Sequence, residues 1–123
     1  MPVSARTKRI DVGKDITAGI QTIDTSGHTV GHMSLLVSSE NEKLLVLGDI
    51  VHDAYISFER PDWHFGYDQD PKKGALVRKK ILQMAASQGL PAVGYHLPFP
   101  GLGMIARKGA AFRWLPANWQ WTP

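Results

Sequence analysis

One helix with a well-marked beginning and end constrains the fold of this chain more than any other feature. Asp70 followed by Pro71 is typical of a helix start, because aspartate caps the first turn and proline fits the first helical position. Gly89 supplies the stop, so the pattern predicts a helix from residue 71 to about residue 87. Apolar side chains at helical spacing give this helix one face that packs on a core: Val77, Ile81, Met84 and Ala85.

Short strand patterns lie on both sides of this helix, at residues 19–24, 33–38, 43–47, 91–95, 104–107 and 112–115. Polar residues 40–42 predict a hairpin, and the unbroken apolar run at 43–47 predicts a strand buried on both faces. Residues 1–15 indicate an irregular or edge segment, and the Trp-rich tail at 117–123 has no clear pattern. We expect an α/β or α+β chain, a single domain over residues 1–123, with a layered mixed sheet and one main helix.

The composition excludes several classes of site. The chain has 123 residues, 43% of them hydrophobic and none of them cysteine, which excludes disulfides, thiolate metal sites and a cysteine nucleophile. No stretch reaches the roughly 20 apolar residues of a membrane-spanning helix, and the N-terminus lacks the apolar core of a signal peptide. A cytoplasmic protein without a membrane partner is the expectation. Short basic clusters such as Arg78-Lys79-Lys80 predict solvated surface rather than a nucleic-acid site, since the formal charge is only +3.

Residues 50–70 form a long, irregular and aromatic stretch that ends at the helix. Loops of this length in small domains are often lids or binding loops. Trp63 and Phe65 are the candidates for the wall of an apolar substrate pocket. The alternative is that both aromatic side chains cover the edge of the core. His52 and His64 belong to the same stretch, and nothing in the sequence requires them to reach a site.

Three polar residues lie near the ends of predicted strands. His28 belongs to the turn G-H-T-V-G-H, Asp49 ends the run L-L-V-L-G-D, and His96 ends the run A-V-G-Y-H. A helical metal pair H-x-x-x-H fits this turn poorly, because glycine and β-branched residues separate its two histidines. A carboxylate at the end of a buried strand is costly unless it is paired or binds a metal. Taken singly, each residue also fits a structural role: turn histidines bonded to backbone, and an aspartate that caps a turn.

The order of these motifs resembles the second half of the metallo-β-lactamase superfamily. The matching features are G-H-T-x-G-H at residues 27–32, L-G-D at 47–49, D-x-D-P at 68–71 and Y-H-L-P-F-P-G at 95–101. Together they place the resemblance over roughly residues 17–116. The resemblance implies half of an αβ/βα sandwich, the C-terminal portion of that fold, with a metal site at one edge of the sheet.

In that family two metals, usually zinc, lie at this edge. The resemblance implies that His28 ligates one metal, that Asp49 bridges both as the catalytic carboxylate, and that His96 ligates the other. His32 and Thr29 would then orient the turn that carries the first ligand. The implied reaction is hydrolysis of a small-molecule ester, lactone, thioester or amide by metal-activated water.

The family's first motif, H-x-H-x-D-H, is absent, since no two of the five histidines are two residues apart. The implied ligands are then divided between two metals, so partial or absent zinc occupancy is expected for the isolated chain. Half a sandwich also leaves an apolar sheet face without its partner layer. We expect a homo-oligomer, or a complementary chain that supplies the N-terminal half. The alternative is a non-catalytic remnant or interaction module that retains the scaffold.

Overall fold

Seven strands form one mixed sheet in the computed structural model, which describes residues 3–118. The strands that precede the long helix are β1 (Asp15–Thr17), β2 (Ile20–Asp24), β3 (Met33–Ser39) and β4 (Glu42–Gly48). Those that follow it are β5 (Pro91–Gly94), β6 (Leu102–Lys108) and β7 (Ala111–Pro116). Between β4 and β5 lie α1 (Ile56–Glu59) and the long helix α2 (Pro71–Gln88), and a 3-10 helix spans Val3–Arg6. The predicted layered α+β architecture, with a mixed sheet and one main helix, is confirmed.

The strands lie side by side in the order in which they occur in the chain, from β1 to β7. Neighbouring strands are antiparallel except β4 and β5, which are parallel and are joined through α2. The predicted hairpin joins β3 to β4, with Ser39 paired to Glu42 and Glu40 in a left-handed conformation. Two antiparallel steps separate β2 from β4, so β2, β4 and β5 all run in the same direction. Their C-terminal ends therefore meet at one edge of the sheet.

Helix α2 begins and ends close to where the sequence predicts. The Asp70 side chain accepts a hydrogen bond from the Lys73 backbone N–H over 3.0 Å, and Pro71 takes the first helical position. Gly89 caps the C-terminus in the left-handed conformation, one residue beyond the helix end at Gln88. The predicted apolar face packs on the sheet, with Ile81 and Ala85 buried and Val77 and Met84 partly buried against them.

The core lies between α2 and one face of the sheet. Alternate residues of β4 to β7 point into it, because successive side chains of a strand face opposite sides. Its strand members are Leu45, Leu47, Ala92, Ile105, Phe112 and Trp114, and Phe58 of α1 packs against Trp114. This face of the sheet is well covered by the two helices.

The opposite face of the sheet, which we call the open face, carries an apolar row from β3 to β7. Directly paired residues place their side chains on the same face, and the pairs run from Leu35–Val46 and Val37–Leu44 through Val46–Val93 and Val93–Leu102 to Met104–Leu115. Leu102, Met104 and Leu115 are 38%, 37% and 43% exposed, and the others are half-buried. The prediction that the 43–47 strand is buried on both faces is therefore corrected. Leu45 and Leu47 are fully buried on the helix side, whereas Leu44 and Val46 are only half-covered by the described part of the chain.

The structure refines the sequence predictions for the loop at residues 50–70 and for the N-terminal segment. Residues 50–70 are irregular as predicted, apart from α1, whose first turn is capped by the Asp53 side chain. In the described N-terminal segment, from residue 3 to residue 15, Asp15 begins the short edge strand β1. Of the Trp-rich tail, residues 119–123 lie outside the described residues. Among the described helices, none is long and apolar enough to cross a membrane.

Candidate metal centre

The three residues predicted as metal ligands converge at the sheet edge where β2, β4 and β5 end. Asp49 follows β4, His28 lies in the turn after β2, and His96 lies just beyond β5. Each oxygen of the Asp49 carboxylate faces a different ring: Oδ2 lies 3.5 Å from His28 Nε2, and Oδ1 lies 3.3 Å from His96 Nε2. One carboxylate thus stands between two imidazoles, which is the arrangement that a bridging ligand requires.

The spacing of these atoms fits a cation better than a direct hydrogen bond. Two ligands that are each about 2.0–2.1 Å from a tetrahedral zinc lie about 3.3 Å apart, close to both of these N···O distances. Nitrogen and oxygen donors without thiolates are also the ligands that such metals accept. The residues present therefore fit a metal such as zinc at this edge.

A cavity of about 450 Å³ opens over these three residues. Its other lining side chains are His52 and Tyr67, from the loop between β4 and α2. Burial lowers the pKa of His52 below its ordinary value, although its hydrogen bond to Asp68 opposes that shift. The His52 ring lies near those of His28 and His96, with centroids 5.2 and 6.0 Å apart. Neither His52 nor Tyr67 was selected from the sequence, because an irregular loop has no periodicity that shows which side chains turn inward.

His32 supports the backbone at Asp49. Its Nε2 accepts the Asp49 backbone N–H over 2.9 Å, so its proton lies on Nδ1 and can be donated to Thr25 Oγ1 at 2.7 Å. Burial lowers the pKa of His32, and the nearby His28 lowers it further. Gly48 has a φ of 63°, and a Cβ there would lie 2.7 Å from His32 Nε2, so the close contact needs glycine.

Thr29 organises the same turn through its backbone rather than its side chain. Its carbonyl oxygen accepts hydrogen bonds from the N–H groups of Gly27 and His32, and its side chain is exposed. The turn is not helical, as its glycine content predicts. It holds His28 at the sheet edge, with the Asp70 N–H bonded to the Gly27 carbonyl and the Gln69 N–H bonded to the His28 carbonyl.

The aromatic loop residues selected from the sequence are placed differently from each other. Phe65 packs against His52 at 5.0 Å between ring centroids and lies 4.4 Å from the Arg78 guanidinium. Trp63 is 54% exposed and stands near Arg60, and the loop aromatic that lines the cavity is Tyr67. A role in substrate binding for Trp63 and Phe65 stays a prediction. His64 faces a separate surface hollow beside α2.

A buried carboxylate, Asp68, lies behind the predicted ligands. Its Oδ1 is 3.2 Å from both His28 Nδ1 and His52 Nε2, and its Oδ2 accepts from Arg78 Nη2 over 2.8 Å. His28, His52 and Asp68 form a second group able to bring three ligand atoms within 4.8 Å of one another. The two groups share His28, which faces Asp49 with one ring nitrogen and Asp68 with the other.

Arg78 corrects the interpretation of the basic cluster at residues 78–80 as solvated surface. Its side chain is fully buried, whereas Lys79 and Lys80 are exposed. The helical spacing of residue 78 predicts that its side chain is buried, although the run of basic residues suggests an exposed surface. Position 78 is three and four residues from Ile81 and Leu82, so it lies on the buried face of α2.

Comparison with known proteins places this geometry in a structural family. No family model and no curated protein matches the chain. Among solved structures, it is similar to AbOPH, a hydrolase in the β-lactamase superfamily, at 36% identity and a TM-score of 0.83, covering 89% of this chain and 38% of that one. It is similar to AidC, a dizinc quorum-quenching lactonase in complex with a product, at 34% identity and a TM-score of 0.90, covering 96% of this chain and 40% of that one.

A more distant likeness supports the fold alone. An N-acyl homoserine lactone hydrolase with N-hexanoyl-L-homoserine bound at its catalytic metal centre matches at 22% identity and a TM-score of 0.60. This alignment covers 73% of the present chain and 35% of that protein. The chain thus spans about two fifths of the length of the more similar proteins. Over the residues that these alignments cover, the chain has the fold of the metallo-β-lactamase superfamily.

Proposed function

We propose that this chain supplies one half of the metal centre and substrate cavity of a metal-dependent hydrolase. The observation that carries the proposal is the Asp49 carboxylate, whose two oxygens face His28 and His96 at 3.5 and 3.3 Å. In this proposal His28 and His96 bind different metals through Nε2, and Asp49 bridges them as the catalytic carboxylate. Zinc is the proposed metal, in up to two positions.

Zinc bound at this edge would lower the pKa of a water molecule and polarise the carbonyl group of a substrate. The contribution of the chain's own residues is to orient these groups. His32 fixes the Asp49 backbone through its hydrogen bond to the Asp49 N–H. His52 and Tyr67 form a polar and aromatic wall of the same cavity, where they can contact a substrate as it binds.

The proposed substrate is a small molecule with an ester, lactone, thioester or amide bond. A cavity of about 450 Å³ suits a small ligand rather than a polymer. Lactones are the first class to test, because AidC is a lactonase and is 34% identical to this chain. The loop aromatics Trp63 and Phe65 are proposed to contribute to the apolar side of the substrate site.

Catalysis is proposed to require a complementary N-terminal half that carries H-x-H-x-D-H. His28, Asp49 and His96 provide only one histidine and a shared carboxylate for each of two metals, fewer than a catalytic zinc uses. The open face offers a continuous apolar surface, from Leu35 on β3 to Leu115 on β7, on which that half would pack. Pairing of two identical chains through this face, as a homo-oligomer, is the alternative use of the same surface.

Zinc content tests the proposed ligand set. We expect less than one tightly bound zinc per isolated chain, a further loss in Asp49→Ala, and a gain towards two when a segment with H-x-H-x-D-H is added. Asp62→Ala, in the exposed part of the loop, is the matched control and is expected to retain the wild-type zinc content. Zinc content is measured by elemental analysis after dialysis. Equal zinc content in the wild-type chain, Asp49→Ala and Asp62→Ala would contradict the proposed site.

A non-catalytic interaction module is the second candidate function. The observation that favours it is the open face, where Leu102, Met104 and Leu115 are 37–43% exposed and could pack against another protein. A panel of lactones and esters, assayed with zinc and with the complementary segment, separates the two functions. Hydrolysis that is lost in Asp49→Ala supports the enzyme, whereas no hydrolysis in a fully zinc-loaded complex supports the module.

A further inference from the structure

Asp68 and Arg78 form a buried ion pair behind the candidate metal centre. Both side chains are 1% exposed, and Arg78 Nη2 donates to Asp68 Oδ2 over 2.8 Å. Arg78 Nε donates to the backbone carbonyl oxygen of Ile50, and Nη1 donates to those of Pro61 and Trp63. A buried guanidinium is costly unless its donors and charge are matched, and here the charge is paired and four of the five N–H groups have an acceptor. Arg78 therefore fixes Asp68 together with the beginning and the middle of the loop between β4 and α2, two of whose residues line the cavity.

The other oxygen of Asp68 determines the orientation of two imidazole rings. An ionised carboxylate only accepts hydrogen bonds, so His28 must present Nδ1–H and His52 must present Nε2–H to Oδ1. A neutral imidazole carries one N–H. The Nε2 of His28 is then left with its lone pair directed at Asp49, which is the form in which a histidine binds a metal.

The surroundings of Asp68 favour a supporting role over direct metal ligation. Its carboxylate already faces three donors, from His28, His52 and Arg78, and it is 1% exposed. The Asp49 carboxylate is 34% exposed and faces the cavity that a substrate can enter. A metal held by Asp68 would need the Nδ1 of His28 and would displace the protons that now bind this carboxylate.

Helix α2 is shaped to admit the Asp68 carboxylate. A Cβ at Gly74 would lie 2.7 Å from Asp68 Oδ2, so any larger residue there would collide with it. Glycine inside a helix is unfavourable compared with alanine. Its presence in the first turns of α2 is explained by this contact, which lets Asp68 pack directly against the helix.

We propose that Asp68, held in place by Arg78, is a positioning residue that fixes the tautomer and direction of both His28 and His52. This inference rests on the proposed function, because it treats His28 as a metal ligand through Nε2. It also couples the loop to the metal centre, since the same guanidinium holds the loop carbonyls and the Asp68 carboxylate. Partners of this kind, bonded to the far nitrogen of a ligating histidine, orient the ring and strengthen its binding.

The tautomer of His28 in the metal-free chain is the first test. Long-range ¹H–¹⁵N correlation spectra near pH 7.5 are expected to show His28 protonated on Nδ1 and His52 protonated on Nε2. In Asp68→Asn, His28 is expected to lose this fixed form and to show a mixture of tautomers. A wild-type His28 protonated on Nε2 would overturn the proposal, whether or not any variant folds.

Zinc affinity, measured by competition with a chromophoric chelator, is the second test. We expect Asp68→Asn to bind zinc about 10–100-fold more weakly. Asp70→Asn, which changes the helix cap two residues away, is the control and is expected to retain wild-type affinity. Arg78→Lys, which keeps the charge but lacks the fork of donors, is expected to fall between the two. Unchanged affinity in a folded Asp68→Asn would overturn the proposal.

The two tests separate this inference from the proposed function. A fixed Nδ1–H tautomer without any zinc binding, even after a segment with H-x-H-x-D-H is added, would support positioning by Asp68 and refute the metal centre. Zinc that binds at Asp49 with unchanged affinity in Asp68→Asn would support the metal centre and refute positioning. Zinc-bound His28 that coordinates through Nδ1, visible from its ¹⁵N shift, would overturn the proposal by making Asp68 a ligand.

Discussion

The two faces of the sheet are built from similar residues and yet differ in what covers them. On the helix side, Leu45 and Leu47 are completely buried under α1 and α2. On the open face, their chain neighbours Leu44 and Val46 are half-buried, and Leu115 is 43% exposed. Apolar character alone therefore does not make a core, because the stabilisation comes from removing that surface from water. The helix side stabilises this chain, and the open face is available to stabilise an assembly.

The largest expected effect comes from adjacent leucines that point to opposite faces. Leu45→Ala is expected to lower the free energy of unfolding by about 2–5 kcal/mol, because it removes fully buried methyl groups and leaves a cavity. Leu44→Ala is expected to cost about 1 kcal/mol, since that side chain is only partly buried. Urea denaturation of both variants at the same protein concentration measures the difference. Equal losses would break the comparison, by showing that the open face is as well covered as the core.

A smaller effect is expected from pH, because burial also acts on the histidines next to the site. The pKa of His32 lies below its ordinary value of 6.5, mainly through burial. The unfolded chain therefore takes up this proton at a higher pH than the folded chain does, so stability is complete above pH 6.5 and falls as the pH drops below it. The slope from one such group is at most about 1.4 kcal/mol per pH unit.

Denaturation of the metal-free chain between pH 7.5 and 5.5 measures this slope. His32→Gln is expected to flatten it, although the lost hydrogen bond to the Asp49 N–H lowers stability at every pH. His64→Gln, which changes an exposed histidine, is the control and is expected to leave the slope unchanged. A slope that is identical in wild type and His32→Gln would show that His32 titrates equally in both states.

The smallest effect on stability, with the clearest effect on assembly, is expected from a charge on the open face. We expect the wild-type chain to self-associate at micromolar concentration, and Leu115→Lys to shift it towards the monomer. Its free energy of unfolding is expected to change by only about 0.5 kcal/mol, because Leu115 is partly exposed on β7. Sedimentation velocity over a concentration series measures the association of Leu115→Lys and of the control Ala110→Lys, whose substitution lies in the β6–β7 turn. Equal association of both variants would mean that another surface is used.

The sequence predicts the local elements of this fold well and its tertiary contacts only in part. Helix α2 and the β3–β4 hairpin follow from Asp70, Gly89 and residues 40–42, whose effects act over a few residues. The meeting of His28, Asp49 and His96 follows from strand direction, because side chains at the C-terminal ends of parallel strands share an edge. The resemblance to the metallo-β-lactamase superfamily is what predicts that these three residues bind metals.

The missed residues depend on contacts between distant segments. Asp68 was part of a recognised helix-start motif, but its partners are His28, forty residues earlier, and Arg78 on the buried face of α2. His52 and Tyr67 lie in an irregular loop whose course is set by the hydrogen bonds of Arg78 to its carbonyl groups. No local sequence pattern predicts the course of this loop. The helical spacing of residue 78 from Ile81 and Leu82 predicts the buried position of Arg78, whereas its charge predicts the surface.

The consecutive order of the strands has a consequence for how such a half fold is made. Each strand of the described sheet pairs with strands that adjoin it in the chain, and the only long connection is the one through α2. The backbone hydrogen bonds of the described sheet form between strands of this chain. Contacts between segments that are close in sequence form quickly. We therefore expect this layer to fold as a unit, and under the proposed function a second layer would dock onto a finished surface through side chains alone.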